Sequence, residues 1–164
     1  MFDPLFLWLE ESAFSIWMRE SPSLFAFPGI LAAHTIGLGL LAGLNAALDL
    51  RLLGAARNIP ATAFRRFLPL MWIGLWLNVV TGIALVVGYP TKALTNPVFW
   101  VKLGLIAASL LVLRAILRGV GAAEPPRTLK WLAAASLAGW AGAITAGRLL
   151  AYTCSRLMVD EICS

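Results

Sequence analysis

The sequence predicts an all-α integral membrane protein, a four-helix bundle preceded by an amphipathic helix lying in the membrane interface. Three observations carry that prediction. Hydrophobic residues make up 60% of the chain and charged ones only 13%, against about 45–50% and about 25% in soluble domains. The apolar residues gather into four runs of bilayer length, separated by short polar breaks. The basic residues fall mainly in the first and third breaks, the pattern of loops retained on the cytoplasmic side. The net charge of +5 is therefore topological. Its short clusters do not form the continuous basic face that nucleic acid needs.

Residues 4–19, PLFLWLEESAFSIWMR, are too polar to cross. As one helix they put Leu5, Phe6, Leu9, Ile16 and Trp17 to one side and Glu10 and Glu11 to another, as an interfacial helix does. Trp8 and Trp17 suit headgroup depth. Asp3, Glu10, Glu11 and Glu20 against Arg19 give the wrong sign for a cleavable leader, so the first span is expected to act as its own insertion signal.

Ser21-Pro22 reads as a helix opening, with Ser as N-cap and Pro at the first helical position. The first span covers residues 24–48, with Pro28 in its early turns. Loop one, 49–67, carries Arg51, Arg57, Arg65 and Arg66 against Asp49, and Asn58-Ile59-Pro60 leads into a short helix. The second span covers 68–87 and ends at Tyr89-Pro90. A short loop, 90–95, follows. Asn96-Pro97 then opens the third span, 98–117, by the same cap logic. Lys102, one turn inside, can snorkel. Loop three, 118–130, is broken by Glu124-Pro125-Pro126. The fourth span covers 131–151, and the tail holds Cys154 and Cys163. All of this is one transmembrane domain.

With four spans, loops one and three share a side. Arg51, Arg57, Arg65, Arg66, Arg114, Arg118, Arg127 and Lys130 place that side in the cytoplasm of a bacterial inner membrane and both termini in the periplasm. Cys154 and Cys163 would then face an oxidising compartment, where a disulfide can persist. Two unpaired cysteines is the alternative.

Close helix packing in lipid requires small residues. They recur at four-residue spacing as Gly29, Ala33 and Gly37 in the first span. The second has Gly74, Asn78 and Gly82, and the fourth has Ala135, Gly139, Ala143 and Gly147. A compact antiparallel bundle follows, self-associating or joined to other membrane subunits, with the lipid bilayer as its first partner and no nucleic acid.

His34 is the only histidine, and it lies mid-span. At about 100° per residue, His34, Asn45 and Asp49 fall on one stripe, which should face the bundle because burying them unpaired is costly. Depth matching supplies Asn78, Thr81, Trp140 and Arg148 as partners for a ligand or cofactor site. Asp49 is expected to form a cytoplasmic charge cluster with Arg51, Arg65 or Arg66. Three roles for His34 compete: a structural hydrogen bonder, an axial ligand to haem b, which would be the only metal site, and a proton-carrying or ligand-contacting group. Among the motifs of catalysis, the chain has no glycine-rich phosphate loop, no HExxH and no CxxC, and no catalytic residue or enzymatic role is expected.

The pieces FPGILAAHTIGLGLLAG, LDLRLLG and NPVFWVKLGLI resemble a group of small, functionally uncharacterised bacterial membrane proteins of four spans. The resemblance covers about residues 5–117, and His34, Asp49, Arg51, Asn96 and Lys102 match its motifs. More distantly the arrangement is similar to copper-resistance D-type membrane proteins and four-helix b-type cytochromes. The expected function is a non-enzymatic inner-membrane subunit or scaffold, binding a partner complex or hydrophobic ligand through the bundle. The alternatives are a haem b electron-transfer protein using His34, and a small transporter or channel.

Overall fold

The computed structural model describes residues 3–120 and 128–152; Cys154, Cys163 and the Glu124-Pro125-Pro126 break lie outside them. The described residues are all-helical and contain no strand. Three helices are long and apolar enough to span a membrane: Phe27–Leu53, Ala61–Gly88 and Pro97–Val120. A further helix, Thr128–Tyr152, has 25 residues and is not among these three.

The N-terminal stretch is two short helices, not one. Helix α1 (Asp3–Glu10) and helix α2 (Ala13–Glu20) are separated at Glu11-Ser12, where Ser12 caps α2 by accepting from the Ser15 amide. Ser21 ends α2 as its C-cap instead of opening the next helix. Helix α3 (Phe27–Leu38) starts further on, with Pro28 in its first turn, where a missing amide costs little. The α2 face bearing Ser15 and Met18 is buried on the far end of helix α5 (Leu68–Gly88). Ser15 donates to the Gly88 carbonyl at 3.2 Å. Met18 fills the space that a side chain at Gly88 would need.

The first long helix is interrupted by the π-helical turn Gly39–Gly43, after which it continues as helix α4 (Leu44–Leu53). This turn changes the helix phase and hands the chain from one neighbour to another. Before it, α3 packs on α5; after it, α4 packs on helix α8 (Thr128–Tyr152). The exit from α4 explains the LDLRLLG run. Gly54 takes φ +118°, its amide bonds the Arg51 carbonyl, and the Ala55 amide bonds the Leu50 carbonyl at 2.9 Å. That is a Schellman cap, which needs glycine at this position.

Loop one contains the 3-10 helix Ala61–Phe67, leading into α5. The stretch after α5 is the short helix α6 (Pro90–Leu94), not a loop. Helix α7 (Pro97–Val120) begins as its Asn-Pro signal requires, with Asn96 Oδ1 accepting from the Val98 amide at 2.9 Å.

Close backbone approach fixes two crossings. Gly37 on α3 and Gly74 on α5 meet so tightly that a Cβ on Gly37 would lie 2.9 Å from the Gly74 carbonyl oxygen. On α8, Gly139, Gly142 and Gly147 receive Ser109, Leu105 and Lys102 of α7. The main buried cluster draws on all four long helices: Leu41 and Leu48, Met71, Leu113 and Ile116, and Trp140. It lies toward the end carrying Arg51, Arg65, Arg118 and Lys130, called the basic end below. Toward the opposite end no residue of α7 between 97 and 108 is fully buried.

Candidate functional site

The polar residues of the long helices meet at two stations along α3 and α4. His34 to Asn45 is eleven residues, about 16 Å of rise. The single stripe expected from a regular helix does not form. The π-helical turn between His34 and Asn45 adds a residue to the winding, which turns everything beyond it by about 100°. His34 therefore faces α5, while Asn45 and Asp49 face α8.

At the first station the Gly37–Gly74 crossing holds α3 against α5, one turn from His34. The His34 ring comes against Gly82, where a Cβ would lie 3.4 Å from its Cε1. Nδ1 is 3.0 Å from Thr81 Oγ1. The Thr81 hydroxyl donates to the Leu77 carbonyl at 2.6 Å, so it can only accept from the ring. A neutral imidazole in this arrangement would carry its proton on Nδ1 and leave the Nε2 lone pair free. Asn78 Nδ2 donates to the His34 carbonyl at 2.8 Å, tying the two helices together. Lys102 lies half-buried on α7 with its stem along Gly147.

The second station is completely buried: Asn45, Asp49 and Ser136 are each 0% exposed. Asn45 Nδ2 donates to Ser136 Oγ at 2.7 Å and to Asp49 Oδ2 at 3.2 Å. Two acceptors are left over, Asn45 Oδ1 and Asp49 Oδ1, each buried without a partner. Such an atom costs about 1–3 kcal/mol.

The structure brings His34, Asn78 and Thr81 together as depth matching expected. It separates Asn45 from them and gives Asn45 a partner not foreseen, Ser136. The signal for Ser136 was faint: a lone serine in an alanine run, as far from the start of α8 as Asn45 is from the end of α4. Trp140 does not reach His34; it is buried in the core cluster with its Nε1 unpartnered. Arg148 is exposed on α8 and bonds none of these side chains.

The expected charge cluster is absent. Among the described residues Asp49 has no basic partner, because the arginines go to backbone carbonyls instead. Arg51 bonds the Ile59 carbonyl through Nε and the Arg57 carbonyl at 2.9 Å through Nη2. Arg65 bonds the Leu117 carbonyl at 2.9 Å. Arg66 stacks on Phe67, 4.9 Å from the ring centroid. Open helix ends and turns offer unsatisfied carbonyls near the surface, so a guanidinium need not follow Asp49 into the core.

Two open grooves line the surface. One, of about 510 Å³, lies between α7 and α8 and includes Val101, Leu105 and Thr145. The other, of about 480 Å³, lies beside Leu53, Lys130 and Trp131. Both are apolar, and neither is lined by a residue of the two stations. No group of three or more histidine, cysteine, aspartate or glutamate side chains that could hold a metal ion occurs among the described residues.

No family model matches the chain, and neither a curated protein nor a solved structure is similar to it. The likeness to D-type copper-resistance proteins and b-type cytochromes therefore brings no residue roles with it.

Proposed function

We propose that this chain is a non-enzymatic inner-membrane subunit that binds a small ligand inside its helix assembly. All four long helices would cross as a bundle, α1 and α2 would lie in the outer interface, and both termini would face the periplasm. The observation that carries the binding role is the buried Asn45–Asp49–Ser136 station, with two oxygen acceptors unmatched. A side chain needed only to glue helices together has no use for unmatched lone pairs. An ionisable residue inside a span, without a counter-charge, marks a site. This reading takes a polar ligand in place of the hydrophobic one expected from the sequence. Large apolar side chains such as Trp72, Trp76 and Trp100 are exposed, as a lipid-facing shell requires. Native mass spectrometry of gently extracted protein tests the proposal. A retained small molecule, or a companion subunit, supports it. A bare monomer that conducts solutes in liposomes would favour the transporter alternative.

A second reading, haem b at His34, is supported by the ring tautomer. Ligating histidines commonly donate their other N–H to a fixed acceptor, and Thr81 supplies one. The fit is partial. His34 is the only histidine, and Met71 is buried in the basic-end core about two turns from Asn78. A second axial ligand would have to come from another subunit. A Soret band lost in His34→Ala protein would support this reading, and a band that survives the substitution would end it.

A further inference from the structure

We propose that the ligand of the second station is a monovalent alkali cation, held by Asp49, Asn45 and Ser136. The proposal rests on the ligand-binding reading above. Charge and atom type select the ion. The three side chains offer hard oxygen donors, which suit alkali and alkaline-earth ions rather than soft metals. Among the described residues the station has one carboxylate and no basic partner. One carboxylate balances one positive charge. A calcium ion would keep a net charge in the core and demand six to eight oxygens.

The geometry supplies the place. Asn45 Nδ2 now stands between Ser136 Oγ, at 2.7 Å, and Asp49 Oδ2, at 3.2 Å. In this arrangement the amide's two hydrogens provide the positive charge that an ion would bring. Turning the Asn45 carboxamide over removes that donor and brings in Oδ1, one of the two buried oxygens without a partner. The other unpartnered oxygen, Asp49 Oδ1, belongs to the same station. An ion in the place that Nδ2 now holds would meet Ser136 Oγ and Asp49 Oδ2, with Asn45 Oδ1 as its third oxygen. The π-helical turn Gly39–Gly43 ends two residues before Asn45, and it is what aims this side chain at α8. Irregular helical turns of this kind recur beside functional sites in membrane proteins.

The test is binding of radiolabelled sodium to the full chain in detergent micelles, with ionic strength held constant by choline chloride. The expected result is saturable binding of one ion per chain, displaced by unlabelled sodium and not by choline. Asp49→Asn should weaken it at least tenfold, Ser136→Ala should weaken it measurably, and Gly104→Ala, which meets nothing within 4 Å, should leave it unchanged. Heat-unfolding midpoints should rise with sodium in the wild type and not in Asp49→Asn. If Asp49→Asn does not fold, the wild-type isotherm and Ser136→Ala decide the matter. No saturable binding by the wild type would overturn the proposal, as would binding undiminished in Asp49→Asn or Ser136→Ala. A different small molecule retained in native mass spectra and lost in Ser136→Ala, without sodium binding, would refute the cation and leave the ligand-binding reading standing.

Discussion

His34 Nδ1 stands 3.0 Å from Thr81 Oγ1, and the only hydrogen of that hydroxyl is committed to the Leu77 carbonyl 2.6 Å away. With its hydrogen on that carbonyl, the threonine would hold the proton of a neutral histidine on Nδ1. It is a positioning residue on α5 acting on a side chain of α3, and the bond exists because glycines let these two helices touch.

Removing the acceptor should release the tautomer. In Thr81→Val the ring loses its partner at nearly constant volume, and Thr81→Ser keeps it. Nitrogen-15 spectra of labelled histidine should show a single Nδ1–H form in the wild type and in Thr81→Ser. A mixture of both forms is expected in Thr81→Val. An unchanged spectrum in Thr81→Val would mean that Thr81 does not set the proton's position.

The crossing beneath this bond is the next weak point. A Cβ at Gly37 would stand 2.9 Å from a backbone oxygen, and one at Gly74 would stand 2.8 Å from Leu40 Cβ and 2.9 Å from the Gly37 oxygen. Backbone cannot yield as a flexible side chain can, so Gly37→Ala and Gly74→Ala should each destabilise by about 1–3 kcal/mol. Gly104→Ala meets nothing within 4 Å and should be neutral or stabilising by up to about 1 kcal/mol, through helix propensity. Thermal unfolding in detergent checks all three. Equal effects at Gly37 and Gly104 would show that the close approach is not limiting.

Much of this arrangement was legible from residue spacing. Gly37 and Gly74 belong to small-residue rows that the sequence displays openly, and the match of His34 with Asn78 and Thr81 followed from counting residues inward from the span ends. The misplaced residues of the first long helix share one cause. A π-helical turn has no strong sequence signature, and GLLAG reads as ordinary helix. Counting at a fixed angle across it put Asn45 and Asp49 on the wrong neighbour and hid Ser136. The arginines of loop one were misjudged for a different reason. Charge pairing was assumed where the nearest acceptors were carbonyls, and those are invisible in side-chain chemistry.

Gly54 offers a test confined to the backbone. Its φ of +118° is reserved for residues without a Cβ, and a Cβ there would otherwise meet only Arg57 side-chain atoms at 3.4 Å or more. Space is thus available and conformation is not. Gly54→Ala should cost about 1–2 kcal/mol through backbone strain at the α4 cap, read from the unfolding midpoint. A cost no larger than that of an exposed surface substitution would show that the cap tolerates a side chain.

Arg51 ties loop one to the end of α4 through the carbonyls of Arg57 and Ile59. Both bonds are exposed, so their worth in global stability should be small, about 1 kcal/mol or less. Their local effect should be larger, because residues 55–60 have few other anchors; Arg57 itself bonds only the neighbouring Gly54 carbonyl, at 3.2 Å. Arg51→Met should leave the unfolding midpoint nearly unchanged and raise the rate of tryptic cleavage after Arg57. A loss of about 1 kcal/mol in local closing free energy corresponds to roughly a fivefold increase. Arg114→Gln, which removes an exposed arginine on α7, serves as the control and should cut at the wild-type rate. If both variants are cleaved at the wild-type rate, the loop is held by its turn geometry alone and not by the Arg51 guanidinium.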